Sequence, residues 1–249
     1  MIVDILLIIA GIALVLYGAD RLTAGASALA RRMNIPEIII GLTIVAAGTS
    51  APEFFVSFMS ALKGTPDMAV GNVVGSNIFN VLLIVGITAM VTPIKVTRST
   101  VNKDMRWAIL ASGLFLFCCF GQLPLSFQGC TISRTDGIVL LAFFAIFMYV
   151  TLKTAKTDTA DTPQEKKESA VKNVFFFVAG LAMLILGSNV FVDSASNVAA
   201  SLGVSQGIIG LTIVAGGTSL PELATSVVAA KKGNSAIAIG NVIGSNVFN

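Results

Sequence analysis

The sequence predicts an all-α polytopic membrane protein built from two inverted-topology repeats, with eight helices. Three observations predict this fold class. The 249 residues are 55% hydrophobic and only 12% charged, and their mean hydropathy is +0.89. The apolar segments are about as long as bilayer-spanning helices require, roughly 20 residues each. Finally, long stretches of the first half recur in the second half.

Reading the apolar segments in order places the eight helices. They fall near residues 2–30, 36–62, 68–92, 106–122, 136–152, 173–200, 205–231 and 235 onward. Residues 153–172, between the fifth and sixth helices, have a soluble composition, because their Lys, Glu, Asp and Thr side chains cannot form a packed core. We interpret this segment as a solvated linker between a first half at 1–152 and an incomplete second half at 173–249.

The distribution of basic residues predicts the orientation in the membrane. Cytoplasmic loops of membrane proteins carry an excess of Lys and Arg. An outside N-terminus leaves only Lys63 and Arg134 outside and Arg21 within or near the first helix, out of sixteen basic residues. The other thirteen then lie inside: Arg31, Arg32, Lys95, Arg98, Lys103, Arg106, Lys153, Lys156, Lys166, Lys167, Lys172, Lys231 and Lys232. We therefore expect the N-terminus outside and the linker at 153–172 in the cytoplasm.

A constant offset of 169 residues superposes two copies of one segment. Residues 41–53 recur almost letter for letter at 210–222, and residues 71–80 recur at 240–249; 26 of the 42 aligned positions from 39 to 80 are identical. The repeats span about 36–92 and 205–249. Because five helices separate equivalent points, the second copy enters the membrane from the opposite side. Inverted repeats of this kind hold their binding site at the repeat interface near the midplane.

Each copy places a glutamate, Glu53 or Glu222, inside an otherwise apolar helix with no Lys or Arg nearby in that helix. An ionisable side chain at this depth is costly and by default marks an ion or proton site. Hydroxyl groups lie within one turn of each carboxylate. They belong to Thr49 and Ser50 in the first copy and to Thr218 and Ser219 in the second.

Proline follows these hydroxyl residues in both copies. Pro52 and Pro221 lack a backbone N–H, so within a helix they would free the carbonyls of Gly48 and Gly217. We therefore predict a kinked or unwound segment before each glutamate. Freed carbonyls at membrane depth must be satisfied by protein, by water or by a bound cation.

The second duplicated motif adds further oxygen ligands. Asn72, Ser76 and Asn80 recur every four residues and form one helical stripe. Asn72 and its counterpart Asn241 are equally consistent with a structural role. Carboxylate, hydroxyl, amide and carbonyl oxygens, without thiolate or imidazole, suit hard cations such as Ca²⁺, Na⁺ or Mg²⁺.

Other classes of function receive little support from the sequence. Cys118, Cys119 and Cys130 lack metal-ligand spacing, so we expect neither a zinc site nor a structural disulfide. The chain has no His and no Cys or Ser paired with a general base, so we expect no enzymatic activity. A net charge of +3 in a membrane protein gives no reason to expect a nucleic-acid partner. No obligate protein partner and no cofactor are expected.

The two copies of Gly-Thr-Ser-x-Pro-Glu, followed by Gly-Asn-x-x-Gly-Ser-Asn, resemble the alpha-repeats of the cation/calcium exchanger superfamily, and most closely those of prokaryotic sodium/calcium exchangers. The resemblance implies ten helices and exchange of Ca²⁺ for Na⁺ by alternating access in a prokaryotic inner membrane. It also implies that Ca²⁺ binds Glu53 and Glu222 with oxygens of Thr49 and Thr218. The implied Na⁺ positions add Ala46 and Ala215, through their carbonyls, and Ser50, Ser219, Ser76, Ser245, Asn80 and Asn249.

Two features depart from the family pattern. The chain ends at Asn249, inside the eighth predicted helix, so we expect it to be C-terminally truncated. Many relatives carry Asp where this sequence has Asn80 or Asn249. With two carboxylates the site offers a charge of about −2, which one Ca²⁺ or two Na⁺ would neutralise.

Alternatives to Na⁺ coupling remain open at this point. A Ca²⁺/H⁺ antiporter is the nearest, because a desolvated glutamate accepts a proton as readily as a cation. The hydroxyl and amide oxygens beside the glutamates favour Na⁺. Exchange of Mg²⁺ or Mn²⁺ fits the same ligands, since oxygen atoms alone do not fix cavity size. A passive cation channel would need a continuous pore, which a single inverted repeat does not favour.

Overall fold

The computed structural model describes residues 1–120, 132–157, 170–205, 208 and 210–249. These residues form helices that we label α1 to α10. Their bounds are α1 (Ile2–Met33), α2 (Glu37–Thr49), α3 (Ala51–Leu62), α4 (Pro66–Val91), α5 (Met105–Phe120), α6 (Arg134–Thr157), α7 (Ala170–Ser201), α8 (Thr212–Thr218), α9 (Leu220–Lys231) and α10 (Ser235–Phe248). Residues 158–169 of the expected linker and Cys130 lie outside the described residues, whereas Cys118 is a buried, free thiol.

The eight helices expected from the sequence are confirmed, and two of them are each broken in two. In the described part of the chain, α1, α4, α6 and α7 are long and apolar enough to cross a membrane. The bent pairs α2–α3 and α8–α9 raise the number of candidate spans to six if each pair is one span. The remaining helices α5 and α10 are shorter, with 16 and 14 residues.

The predicted kinks lie at the two Gly-Thr-Ser-x-Pro-Glu segments. The helix direction changes by 47° between α2 and α3 and by 53° between α8 and α9. Pro52 and Pro221 are each the second residue of the following helix. A proline costs little there, because the first-turn N–H groups have no partner within the helix. The break therefore places each proline in the first turn of a helix, where its missing N–H removes no hydrogen bond.

A π-helical turn precedes each break. It spans Gly41–Val45 in the first copy and Gly210–Val214 in the second, positions that the 169-residue offset makes equivalent. A third π-helical stretch, Phe79–Ile84, lies within α4. Such turns shift the following side chains around the helix axis and occur frequently at functional sites.

The long helices α1 and α7 pack against each other along a line of glycines. A methyl group at Gly11 would lie 2.9 Å from the Gly187 carbonyl oxygen, and one at Gly18 would lie 2.8 Å from the Gly180 carbonyl oxygen. A methyl group at Gly180 would overlap the backbone nitrogen of Leu22. Small residues allow this close approach of two helix backbones within a membrane. The offset pairs Gly11 with Gly180 and Gly18 with Gly187, so the contact is itself symmetric between the halves.

The same principle brings α10 of the second half against α2 of the first. A methyl group at Gly244 would lie 2.5 Å from the Leu42 carbonyl oxygen, and one at Gly240 would lie 2.7 Å from the carbonyl oxygen of Ile38. Leu42 is almost fully buried in this contact, as is Ile237 on α10. The two halves therefore pack closely against each other where α10 of the second half meets α2 of the first.

Candidate ion-binding site

The two breaks bring Glu53 and Glu222 into one buried site. Their side chains are 2% and 1% exposed, respectively. The Ser219 hydroxyl donates a hydrogen bond to Glu53 Oε1 at 3.1 Å, and the Ser50 hydroxyl donates to Glu222 Oε1 at 2.9 Å. Each glutamate is thus held by the serine of the opposite repeat. Because Ser50 and Ser219 are equivalent by the 169-residue offset, the pair of hydrogen bonds has the symmetry of an inverted repeat.

Two asparagines, the half-buried Asn72 and the buried Asn241, form hydrogen bonds to the helices that carry the glutamates. Asn72 Nδ2 donates to the main-chain carbonyl of Glu53 at 3.1 Å, and Asn241 Nδ2 donates to that of Glu222 at 3.3 Å. Each amide also donates to a serine four residues after its glutamate, at 2.9 Å to Ser57 and at 3.2 Å to Ser226. The structure therefore gives these asparagines a structural role in positioning α3 and α9.

The threonines before each break lie beside the carboxylates of the opposite repeat. The Thr49 hydroxyl is fully buried, lies 3.1 Å from Asn241 Oδ1 and 3.4 Å from the Ala46 carbonyl oxygen, and is close to the carboxylate of Glu222. The half-buried Thr218 lies correspondingly close to the carboxylate of Glu53.

Ala46 and Ala215 are the first residues of the short helical segments that precede the two breaks. Ala46 itself is fully buried. Both alanines directly follow a π-helical turn, at Val45 and Val214. Their backbone positions therefore follow the inverted symmetry of the site.

Several buried oxygen atoms at the site have no hydrogen-bond partner among the described residues. They are Glu53 Oε2, Glu222 Oε2, Asn80 Oδ1 and Ser245 Oγ. A buried polar atom without a partner costs roughly 1–3 kcal/mol, and more when it is charged. No ion pair of the described residues involves either glutamate. These oxygens are therefore candidates for direct contact with a bound cation.

A cluster of amides joins α4 to α10 next to the glutamates. Asn80 Nδ2 donates to Asn246 Oδ1 at 3.0 Å, and Asn249 Nδ2 donates to Ser76 Oγ at 3.0 Å and to Asn77 Oδ1 at 3.2 Å. Asn77 Nδ2 donates in turn to the Asn246 carbonyl at 3.3 Å. The structure thus brings Ser76, Asn80 and Asn249 together where α4 meets the end of α10.

Asn77 and Asn246 are residues that the sequence reasoning missed. The signal was present, because both occupy the last position of the duplicated Gly-Ser-Asn and are equivalent by the offset. Their side chains bond to each other's main chain, with the Asn246 amide 3.5 Å from the Asn77 carbonyl. This reciprocal contact marks where the two repeats meet.

Ser188 of α7 is a third residue that the sequence reasoning missed, and it makes the two halves unequal. Its buried hydroxyl donates a 2.5 Å hydrogen bond to the Gly217 carbonyl, which is the carbonyl that Pro221 frees. The offset places Ala19 at the equivalent position of α1, and alanine has no hydroxyl to offer Gly48. The freed carbonyl of the second half is therefore satisfied by protein in a way that the first half does not repeat.

The charge at the site comes from two carboxylates. Nowhere in the described residues do three His, Cys, Asp or Glu side chains form a group that could hold a metal ion. Asn80 and Asn249 contribute neutral amides. The arrangement can therefore offer a cation two carboxylates surrounded by neutral oxygens.

Comparison with known proteins agrees with this architecture. The chain matches the family model of the sodium/calcium exchanger protein over residues 3–153 and 172–249. The putative antiporter CaxA of Alkalimonas amylolytica is 40% identical over 257 residues, which cover 100% of this chain and 78% of CaxA. Inner membrane protein YrbG of Escherichia coli is 39% identical, over 98% of this chain and 75% of YrbG.

The fold also matches a solved structure. The sodium-calcium exchanger NCX_Mj superposes with a TM-score of 0.84 at 32% sequence identity, over 99% of this chain and 78% of that chain. The resemblance inferred from the duplicated motifs is thereby confirmed. This chain belongs to the sodium/calcium exchanger family, and it is a membrane antiporter.

Proposed function

We propose that this protein exchanges Ca²⁺ for Na⁺ by alternating access, with the ions bound between the two inverted repeats. The observation that carries the proposal is the pair of buried glutamates, one from each repeat, without a basic partner among the described residues. Burying unpaired charge is so costly that such carboxylates must either be protonated or bind a cation. One Ca²⁺ or two Na⁺ would balance them.

The geometry supports a specific set of ligands. Glu53 and Glu222 would bind Ca²⁺ together with oxygen atoms of Thr49 and Thr218, which lie beside the two carboxylates. Na⁺ would draw on the same glutamates and on surrounding neutral oxygens. The proposed Na⁺ ligands are Ala46 and Ala215, through their carbonyls, and Ser50, Ser219, Ser76, Ser245, Asn80 and Asn249.

The neutral oxygens favour Na⁺ over H⁺ as the coupling ion. A proton on a carboxyl group occupies one oxygen and leaves the neighbouring hydroxyls and amides as they were. A hard metal cation instead gathers several oxygens around it. Asn80 Oδ1 and Ser245 Oγ are buried without a partner among the described residues, and a second cation would give them one.

We also propose an orientation in the membrane and a cellular location. We place the N-terminus outside, the linker at 153–172 in the cytoplasm, and the two halves at 1–152 and 173–249. The excess of basic residues on one side supports this orientation. Similarity to an inner membrane protein of Escherichia coli supports a prokaryotic inner membrane.

The deciding experiment compares driving gradients in liposomes that contain the purified full chain. Radiolabelled Ca²⁺ uptake is measured against an outward Na⁺ gradient, an outward H⁺ gradient, or neither. We expect uptake with the Na⁺ gradient, and we expect it to persist when the pH is clamped. Uptake driven only by the H⁺ gradient would replace Na⁺ with H⁺ in the proposal. Ca²⁺ entry without any counter-ion gradient would instead indicate a channel.

A further inference from the structure

Lys232 fastens the loop that joins α9 to α10 onto α1. Its ammonium nitrogen lies 2.7 Å from Asp20 Oδ1, and it donates to the Asp20 main-chain carbonyl at 2.8 Å and to the Thr23 hydroxyl at 3.2 Å. An ammonium group has three N–H donors, so one acceptor is present for each of them. Arg21 Nε lies farther from the Asp20 carboxylate, at 3.9 Å. Lys232 is therefore the closer of the two basic partners of Asp20.

A second contact joins the same loop to α1 one helical turn further along. Asn234 Nδ2 donates to Ser27 Oγ at 2.9 Å, while Asn234 Oδ1 accepts a hydrogen bond from the main-chain N–H of Ile237 at 3.1 Å and so caps α10. The helix α1 also packs closely along α9, which carries Glu222. The end of α9 and the start of α10 are therefore both held against α1.

The loop between α3 and α4 is the counterpart of this loop in the first half, and its backbone has the same conformation. The equivalent glycines, Gly64 and Gly233, have φ angles of 73° and 79°. The next residue in each loop donates its main-chain N–H to the carbonyl five residues earlier, at 2.9 Å. The 169-residue offset also makes Lys63 equivalent to Lys232. Differences between the contacts of the two loops therefore arise from side chains rather than from the loop backbone.

The helix α7 lacks most of the acceptors that α1 offers to its loop. The offset gives the counterparts of Asp20, Thr23 and Ser27 as Asn189, Val192 and Ser196. Asn189 has no charge and Val192 has no hydroxyl, while Ser196 Oγ is buried without a hydrogen-bond partner among the described residues. Lys63 forms no ion pair with the described residues, and α7 packs against α3 far less closely than α1 packs against α9. In the described part of the chain, the lysine contact therefore exists at one membrane end only.

We propose that the contact of Lys232 with Asp20 and Thr23 is a latch that biases which membrane face the ion site opens to. The inference rests on the alternating access proposed above, in which one bundle of an inverted repeat moves against the other around a fixed site. Exchanging the roles of the two halves gives a second arrangement, in which α7 packs against α3 and α1 moves away from α9. The latch forms only in the first arrangement, so it shifts the equilibrium towards that one.

The exposure of the latch suits a contact that must break in every transport cycle. The side chains of Lys232 and Asp20 are 37% and 43% exposed. An ion pair that water reaches contributes modestly, enough to change an equilibrium by up to about fivefold. Such a contact favours one arrangement without preventing the other.

The test measures the distance between spin labels at Leu62 and Ala200 by electron paramagnetic resonance, in the ion-free full chain with its native cysteines replaced. Both residues are exposed and lie near the ends of α3 and α7. The arrangement described here gives the longer distance, and the exchanged arrangement gives the shorter one. Lys232→Gln and Asp20→Asn should each raise the ratio of short to long distances about fivefold. Lys231→Gln is the control, because this exposed neighbour forms no ion pair with the described residues, and it should leave the ratio unchanged.

Two further variants test the latch independently. Asp20→Asn/Lys232→Gln should shift the ratio no more than Lys232→Gln alone, because both substitutions remove the same contact. Asn189→Asp, at an exposed position, gives Lys63 an acidic partner in the exchanged arrangement and should also raise the ratio about fivefold.

The outcomes separate the latch from the proposed function. Two distances in unchanged proportion in the wild type and in every latch variant would overturn the latch and leave alternating access intact. A single distance, the same in every variant, would overturn alternating access and the latch with it. Because no ion is present, neither result depends on whether Na⁺ or H⁺ drives transport.

Discussion

Replacing Glu53 with glutamine separates ion binding from folding, because the two side chains have nearly the same shape. The glutamine carbonyl oxygen still accepts the hydrogen bond from Ser219, which is 3.1 Å away in the wild type. The substitution also removes one of two buried like charges. We therefore expect Glu53→Gln to unfold at no lower temperature than the wild type when no ion is bound.

The same substitution should nearly abolish stabilisation by Ca²⁺. At a Ca²⁺ concentration 100 times Kd, binding stabilises the wild type by about 2.7 kcal/mol. For a chain of this size that corresponds to a rise in Tm of about 5–11 °C. Loss of one buried charged ligand costs about 2–5 kcal/mol, which weakens binding at least thirty-fold. The rise in Tm should then be at most about 3 °C.

The measurement is thermal unfolding of the detergent-solubilised protein with and without Ca²⁺, alongside Na⁺-driven Ca²⁺ uptake in liposomes. Glu37→Gln serves as the control, because Glu37 lies at the start of α2, outside the site, with 31% of its side chain exposed. That control should keep the full rise in Tm and the full uptake. A Glu53→Gln protein with wild-type uptake and a full rise in Tm would refute the shared-site reasoning.

Three further substitutions test the packing and the inequality of the halves. Gly180→Ala should destabilise the protein by about 1–3 kcal/mol, because the added methyl group would overlap the α1 backbone. Gly113→Ala, with no atom within 4 Å of the added carbon, is its control, and equal Tm values would contradict the tight α1–α7 contact. Ser188→Ala should cost about 1–3 kcal/mol in the ion-free protein, since it leaves the Gly217 carbonyl without that donor; an unchanged unfolding temperature would show that this bond is dispensable. Ser219→Ala should raise the Ca²⁺ concentration for half-maximal uptake about tenfold, and an unchanged value would argue against its role at the site.

The fold class was predictable from the amino-acid sequence, because the lipid bilayer dictates both the composition and the length of the helices that cross it. An apolar segment of about 20 residues has few alternatives to a membrane helix. The 169-residue offset also determined that Glu53 and Glu222 occupy equivalent places in opposite orientations. The break before each glutamate was predictable as well, since Pro52 and Pro221 cannot donate to the preceding turn.

The pairing of side chains across the two repeats could be seen only once the helices were packed together. The exchange of hydrogen bonds between Ser50 and Glu222, and between Ser219 and Glu53, joins residues more than 160 positions apart. No local pattern specifies such a contact, because it depends on how two separately formed helices approach each other. The duplication predicts equal halves, yet Ser188 bonds to the freed carbonyl of only one of them. A sequence repeat fixes the symmetry of the backbone, whereas the packing of neighbouring helices decides where that symmetry is broken.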